Sequence, residues 1–298
     1  MNPGKLVPPA LDYATNPCAA MAGTIGRPAT FNPVFPGDQP MASVAPQNPS
    51  LPLFYKELVP ISQQEHGSWR YRQADSAMFL RNEHAIPITV EEFAVAQRYY
   101  PIVFSAGDAP VPLVLMGMNE GVNTFIGDDG KMMQEAYVPA YIRRYPFLLA
   151  RLREGSDELS LCVDPTSGAI GEFDDGDPIF DGDQPSGATK AVLQFCEQFE
   201  QSGQRTGAFM EELKALDLIM DGEVSIQTEG AEAPFVYRGF QMVNEEKLRD
   251  LRGDQLRKMN QSGMLPLIHA HLFSLSVMRE IFGRQMAQGK MPQGQPAS

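Results

Sequence analysis

The chain has 298 residues, 43% of them hydrophobic, with 24 Lys and Arg against 37 Asp and Glu, for a formal net charge of −13. That length suits one large or two ordinary domains. The charge argues against non-specific nucleic-acid binding and against docking on an anionic membrane, both of which need a basic footprint.

The three cysteines, Cys18, Cys162 and Cys196, have no close spacing and imply neither a disulfide framework nor a zinc site. No continuous apolar core of a signal peptide stands at the N-terminus, and no apolar run reaches the length of a bilayer-spanning helix. A cytoplasmic, soluble protein without membrane insertion is the expectation.

Residues 1–50 are rich in Pro, Ala, Asn and Gly and lack a hydrophobic period, so they read as a disordered extension. The folded part is expected over residues 51–282 as a single body, with a break near residue 188 as the alternative. Residues 283–298 read as a flexible tail. Leu51–Val59 begins the body as an extended segment. Thr89 and Glu92 have the spacing of a capping box, opening a helix toward Tyr99 with Val90, Phe93, Ala94 and Gln97 on one face.

Ile102–Phe104 and Val111–Met116 flank a Ser-Ala-Gly-Asp-Ala-Pro turn and predict a hairpin of buried strands. Thr124–Ile126 adds a third short strand, giving an antiparallel meander. Pro139 suits a first helical turn, and Pro146 ends that helix. Leu148–Arg153 reads as helical or turn-like, and Glu158–Asp164 as a strand. An acidic loop follows over 172–183. It lacks EF-hand spacing, and Ile179-Phe180 in its middle is expected to pin it to the body.

Thr189 to Leu218 is a helical block with Val192, Phe195, Cys196 and Phe199 on its core stripe. Gly203 and Gly207 make two helices as plausible as one. Met220–Glu223 reads as a turn before a second hairpin, Val224–Gln227 with Phe235–Val243. Asn244 caps a short helix, another follows from Asp254, Ser262-Gly263 stops it, and a last helix runs from Leu265 to about Phe282. The fold class is α+β: an antiparallel meander and a second hairpin with several packed helices.

Two groups of residues carry chemistry. Residues 136–147 pack Tyr137, Tyr141, Tyr145, Phe147, Arg143 and Arg144 into twelve positions. Guanidinium among rings reads either as a site for an anionic or aromatic ligand or as a structural knot answering an acidic chain, and the second is favoured. His269-Ala270-His271 is the other group. Two residues apart on a helix, the rings point about 200° apart, which favours structural histidines over a metal site. Cys162 and Cys196 read as small buried residues. The sequence holds no nucleotide-binding, hydrolase-elbow or metalloprotease motif, and the identity of any cofactor is unknown from it.

The run Tyr-Pro-Ile-Val-Phe from Tyr100, the segment ending Met116-Gly117-Met118, Asn123-Thr124-Phe125, and above all Tyr137-Val138-Pro139-Ala140-Tyr141-Ile142-Arg143-Arg144-Tyr145-Pro146-Phe147 resemble the bacterial SapC-like family over roughly residues 50–282. The resemblance implies an association with bacterial surface layers and brings no catalytic or binding residues with it. Two readings of function follow. One is a non-enzymatic accessory or binding protein using the 137–147 cluster as a contact surface for a protein partner. The other is an enzyme or small-ligand protein with a pocket near Tyr141, Arg143 and Arg144, helped by His269 or His271.

Overall fold

The computed structural model describes residues 51–74, 76–152, 158–227 and 234–290, all within one compact unit. The proline-rich extension and Cys18 lie outside the described residues.

In chain order, β1 (Val59–Pro60), α1 (Gln63–His66) and β2 (Arg70–Tyr71) lead to β3 (Ala85–Pro87) and α2 (Phe93–Ala96). Next come β4 (Ile102–Ser105), β5 (Pro112–Leu115), α3 (Ala140–Arg144), β6 (Phe147–Arg151) and β7 (Leu159–Val163). The short strands β8 (Ile170–Gly171), β9 (Asp177–Pro178), β10 (Phe180–Asp181) and β11 (Gln184–Pro185) precede the long helix α4 (Gly187–Ala215). The chain then forms β12 (Ile219–Ile226), β13 (Phe235–Val243), α5 (Glu245–Arg249), α6 (Gly253–Gln261), α7 (Met264–Ser274) and α8 (Met278–Ala287).

The fold is α+β. The two expected hairpins are not separate: β13 pairs with β4, merging them into one antiparallel sheet of order β12-β13-β4-β5-β3. A second sheet, β1-β7-β6, forms a smaller body, beside the short groups β8-β2-β9 and β10-β11.

Burial explains the layering. One face of the large sheet gives Ile86, Ile102, Phe104, Val114 and Val243 to the main core, which α2, α4, α7 and α8 complete. Its other face carries a smaller cluster of Val103, Leu115, Phe240 and Met278. The small sheet has its own core of Phe147, Leu149, Val163, Ile170 and Ile179.

Helix α4 serves both bodies. Cys196 belongs to the small core, while Phe199, Phe209, Met210 and Leu213 belong to the main one. It is a single helix despite Gly203 and Gly207, because one continuous buried stripe, extended by Ser202 and Thr206, holds it along its length. An intrinsic glycine penalty of about 1 kcal/mol per site is small beside that packing.

Several expectations are corrected. Residues 147–151 form a strand rather than a helix or turn, with Phe147, Leu148, Leu149 and Ala150 all buried. Leu148 and Cys162 are paired across β6 and β7. Met220–Glu223 is not a turn but the first half of β12, which passes through a bulge between Gly222 and Val224. A Cβ at Gly222 would overlap the buried Phe240 ring, so any larger residue there has to displace that ring. Thr124–Ile126 is no strand; it contributes one isolated bridge, Ile126 to Met132.

The helix expected from Thr89 to Tyr99 is a short 3-10 turn followed by one α turn ending at Ala96, and Ala94 is exposed. The last helix, expected to end near Phe282, breaks at Ser274 and runs on to Ala287. Gln285 anchors that extension from a wholly buried position. Its Oε1 accepts the Met118 amide at 2.9 Å, and its Nε2 donates to Asn119 at 2.6 Å.

Other expectations hold. Asn244 caps α5 by accepting the Lys247 amide, and α6 stops at Ser262-Gly263. Ile179 does pin the acidic loop: it is buried, its amide donates to Trp69, and its carbonyl accepts from Thr189 and Ser186.

Candidate functional site

The 137–147 segment divides into an inner and an outer half. Pro139 opens α3, whose single helical turn points consecutive arginines in opposite senses. Arg143 is exposed and Arg144 is buried.

The inner half is built around Arg144. Its guanidinium carbon lies 4.4 Å from the ring centroids of both Tyr141 and Phe199. The nearest carboxylate is Glu200 on α4, at 3.6 Å, also largely buried. Burial raises the Glu200 carboxyl above its ordinary range, and the Arg144 charge pulls it part of the way back. Arg144 Nε is buried with no hydrogen-bond partner among the described residues. The Cys196 thiol nearby is pushed up to about 12 by burial, which removes it as a nucleophile.

Residues 53–56 lie across this half. Tyr141 donates to the Leu53 carbonyl at 3.3 Å, Tyr55 to the Phe147 carbonyl at 2.7 Å, and the Lys56 amide to Asp164 at 2.8 Å. Phe54 reaches the rings of Phe79, Tyr141 and Tyr145, and Tyr145 in turn meets Tyr55 and Phe79. The Tyr145-Pro146 peptide is cis.

The outer half rests on a carboxylate. Glu92 is 5% exposed and accepts four hydrogen bonds. Oε2 takes the Thr89 amide at 2.9 Å and hydroxyl at 3.0 Å. Oε1 takes the Tyr137 hydroxyl at 3.0 Å and the Ala140 amide at 2.7 Å. Tyr137 is thereby held in place, and burial followed by the Glu92 charge keeps its hydroxyl protonated. Arg143 Nε donates to the Val138 carbonyl at 3.1 Å, and an Arg143 terminal nitrogen donates to the Tyr137 hydroxyl at 3.4 Å. Its guanidinium carbon sits 5.1 Å from the centroid of the Phe195 ring on α4.

Glu92 is the residue that sequence reasoning undervalued. The capping-box spacing assigns its carboxylate to Thr89 alone. Its second oxygen ties α2 to the start of α3, and no local pattern encodes that tie. Glu92→Ala is therefore expected to cost about 2 kcal/mol, read as a lower urea midpoint at unchanged slope. An unchanged midpoint would mean that water replaces the carboxylate freely.

The two histidines do not converge. His269 is half-buried and its Nδ1 meets the Leu265 carbonyl of its own helix at 3.0 Å. His271 is wholly buried and stacks on Phe104, with ring centroids 4.5 Å apart. Nδ1 donates to the Ile102 carbonyl at 2.9 Å, and Nε2 accepts the Val243 amide at 3.1 Å. Beyond the pairs Phe240–Ser105 and Gln241–Phe104, β13 and β4 have no further paired residues. His271 fills the missing rung, and Ser274 accepts the Ile102 amide at 2.8 Å. Burial lowers the His271 pKa to about 4, partly offset by its bond to the Ile102 carbonyl. The ring is a neutral structural relay. Among the described residues no cluster of three metal-ligating side chains occurs.

The match of the SapC family model to residues 61–281 covers most of the chain, including every residue of both groups. The chain belongs to the SapC family. No curated protein and no solved structure matches it. Within this SapC chain the Tyr137–Phe147 run joins the two bodies, with Ala140–Ile142 in the main core and Phe147 in the small one. No helix among the described residues is long and apolar enough to cross a membrane.

Proposed function

We propose that this SapC protein is a soluble, cytoplasmic, non-enzymatic accessory protein, linked to surface-layer or envelope processes, that holds a protein partner through the outer half of the 137–147 segment. The observation that carries the reading is Arg143. Its guanidinium is exposed, oriented by Val138 and Tyr137, backed by Phe195, and forms no ion pair among the described residues. An arginine already fixed in place loses little conformational freedom on pairing with a carboxylate. On a chain of net charge −13 such a group favours a partner that offers an acidic side chain or a C-terminal carboxylate.

Tyr141, Tyr145 and Arg144 support that surface from below rather than forming it. Arg143→Glu is expected to lower capture of the partner roughly tenfold while changing stability by less than about 1 kcal/mol. The measurement is quantitative pulldown from the native host with wild type and variant side by side, and with melting temperatures as the control. Equal capture by a normally folded variant would remove Arg143 from the interface.

The small-ligand reading keeps one observation in its favour, the unpartnered Nε of Arg144. Native mass spectrometry of protein purified from its host separates the two readings. A retained small molecule that is lost in Arg144→Lys supports a ligand; a second protein chain supports the accessory role.

A further inference from the structure

One of the residues that cross the inner half of the 137–147 segment is strained. The Tyr55 amide donates to the Pro52 carbonyl at 3.1 Å, closing a tight turn. Phe54 stands third in that turn with a φ of 81°. A positive φ at this place ordinarily belongs to Gly or Asn, and a bulky residue held there is a steric outlier. Such strain persists only where the surroundings over-determine it, and it clusters at ligand clamps and switch regions.

What holds Phe54 is its ring. The ring centroid lies 5.0 Å from that of Phe79, 5.6 Å from Tyr141 and 6.0 Å from Tyr145, edge-on to each. The Leu53 carbonyl before it accepts from the Tyr141 hydroxyl over 3.3 Å, a long bond. The walls of this slot have supports of their own. Tyr141 is buried, packs on Phe199 and carries the Arg144 guanidinium over its ring. Tyr145 rests edge-on against Tyr55, which is 5% exposed and donates its hydroxyl to Phe147 at 2.7 Å. The Lys56 amide is tied to Asp164 at 2.8 Å. The chain is therefore anchored from Tyr55 onward, and Leu53 and Phe54 hang from that anchor as a strap.

We propose that Leu53 and Phe54 are the resident occupant of a slot that takes a phenylalanine from a protein partner. The partner's ring replaces that of Phe54 between Phe79, Tyr141 and Tyr145, and the carbonyl preceding it accepts from Tyr141. An incoming chain makes these contacts without the strained turn. Relaxing that turn lets the strap lift while Tyr55 stays in place. Met78, beside Phe79 in one 3-10 turn, is 46% exposed and offers further apolar surface. The proposal takes from the reading above only the existence of a protein partner. Arg143 is not part of the slot, so the two surfaces can fail separately.

Two NMR measurements on the full chain test it, and neither involves Arg143. The first is native-state hydrogen exchange of the wild type, where the Tyr55 amide reports the turn and the Lys56 amide reports the anchor. Corrected for intrinsic rates, Tyr55 should exchange roughly tenfold or more faster than Lys56, by a local opening that low denaturant leaves unchanged. The second is titration of Phe54→Gly with acetyl-Leu-Phe-amide and, as control, with acetyl-Leu-Ala-amide. Glycine accepts the positive φ, so the turn is kept and only the ring is removed. The phenylalanine probe should shift the Phe79, Tyr141 and Tyr145 amides in the millimolar range, binding roughly tenfold tighter than the control. The proposal is overturned if Tyr55 and Lys56 exchange together at the global rate, if the phenylalanine probe leaves those amides unmoved, or if the alanine control binds equally well.

Discussion

Arg144→Ala is expected to destabilise the protein by about 3–5 kcal/mol, the usual cost of breaking a buried ion pair by removing one partner. Two losses combine. The substitution opens a gap between the Tyr141 and Phe199 rings, and it leaves the Glu200 carboxylate buried without a cation. Arg144→Met fills the gap and isolates the second loss. In that variant nothing offsets burial at Glu200, so its carboxyl rises further above the ordinary 4.5. A group with a raised folded-state pKa stabilises the fold below its unfolded pKa, and that stability is lost as pH climbs through the folded value. The deficit of Arg144→Met against wild type should therefore shrink as the pH is lowered. Adding Glu200→Gln should recover most of it at neutral pH. Urea melts of the four members of this cycle across pH supply the check. A deficit that is flat with pH, or no recovery in the double variant, would show that Glu200 is not the group left stranded.

Acid should expose the second large effect. His271 titrates near 6.5 when unfolded and at about 4 in the fold. Between those values the unfolded chain binds the extra proton, so stability falls as pH drops, by about 1.4 kcal/mol per pH unit and about 3 kcal/mol in all. Above 6.5 this contribution is fully present. The cause is local: an imidazolium has two N–H groups and no lone pair, so the Val243 amide loses its acceptor. His271→Gln keeps one donor and one acceptor without a titration and should flatten the acid slope. His271→Leu removes both and should cost about 3 kcal/mol at neutral pH. If wild type and His271→Gln lose stability in parallel from pH 6.5 downward, the relay is not the acid-sensitive element.

What could be read in advance follows from what is local. The Thr89–Glu92 box, the Asn244 cap, the Gly263 stop and the β4–β5 hairpin are encoded within a few residues of themselves, and each is present. The β6 strand was hidden because Phe147–Ala150 is buried on both faces, and a continuous apolar run has no period that separates strand from helix. The β12 strand was hidden because Asp221-Gly222 signals a turn unless a bulge absorbs it. At the candidate site, the clustering of rings and arginines was visible, and so was the divergence of His269 from His271. Which arginine faces inward was not. That depends on Phe199 and Glu200, more than fifty residues away on α4.

The rung supplied by α7 has a consequence for biogenesis. Ile102 receives its partners from His271 and Ser274, separated from it by 169 and 172 positions. The β4–β5 hairpin can form early, but its join to β13 stays incomplete until α7 has also left the ribosome. Contacts of such long range slow folding and prolong the exposure of unpaired strand edges. A nascent chain stalled before α7 would present Ile102 and Val243 as open sticky ends, and would be a natural client for a chaperone.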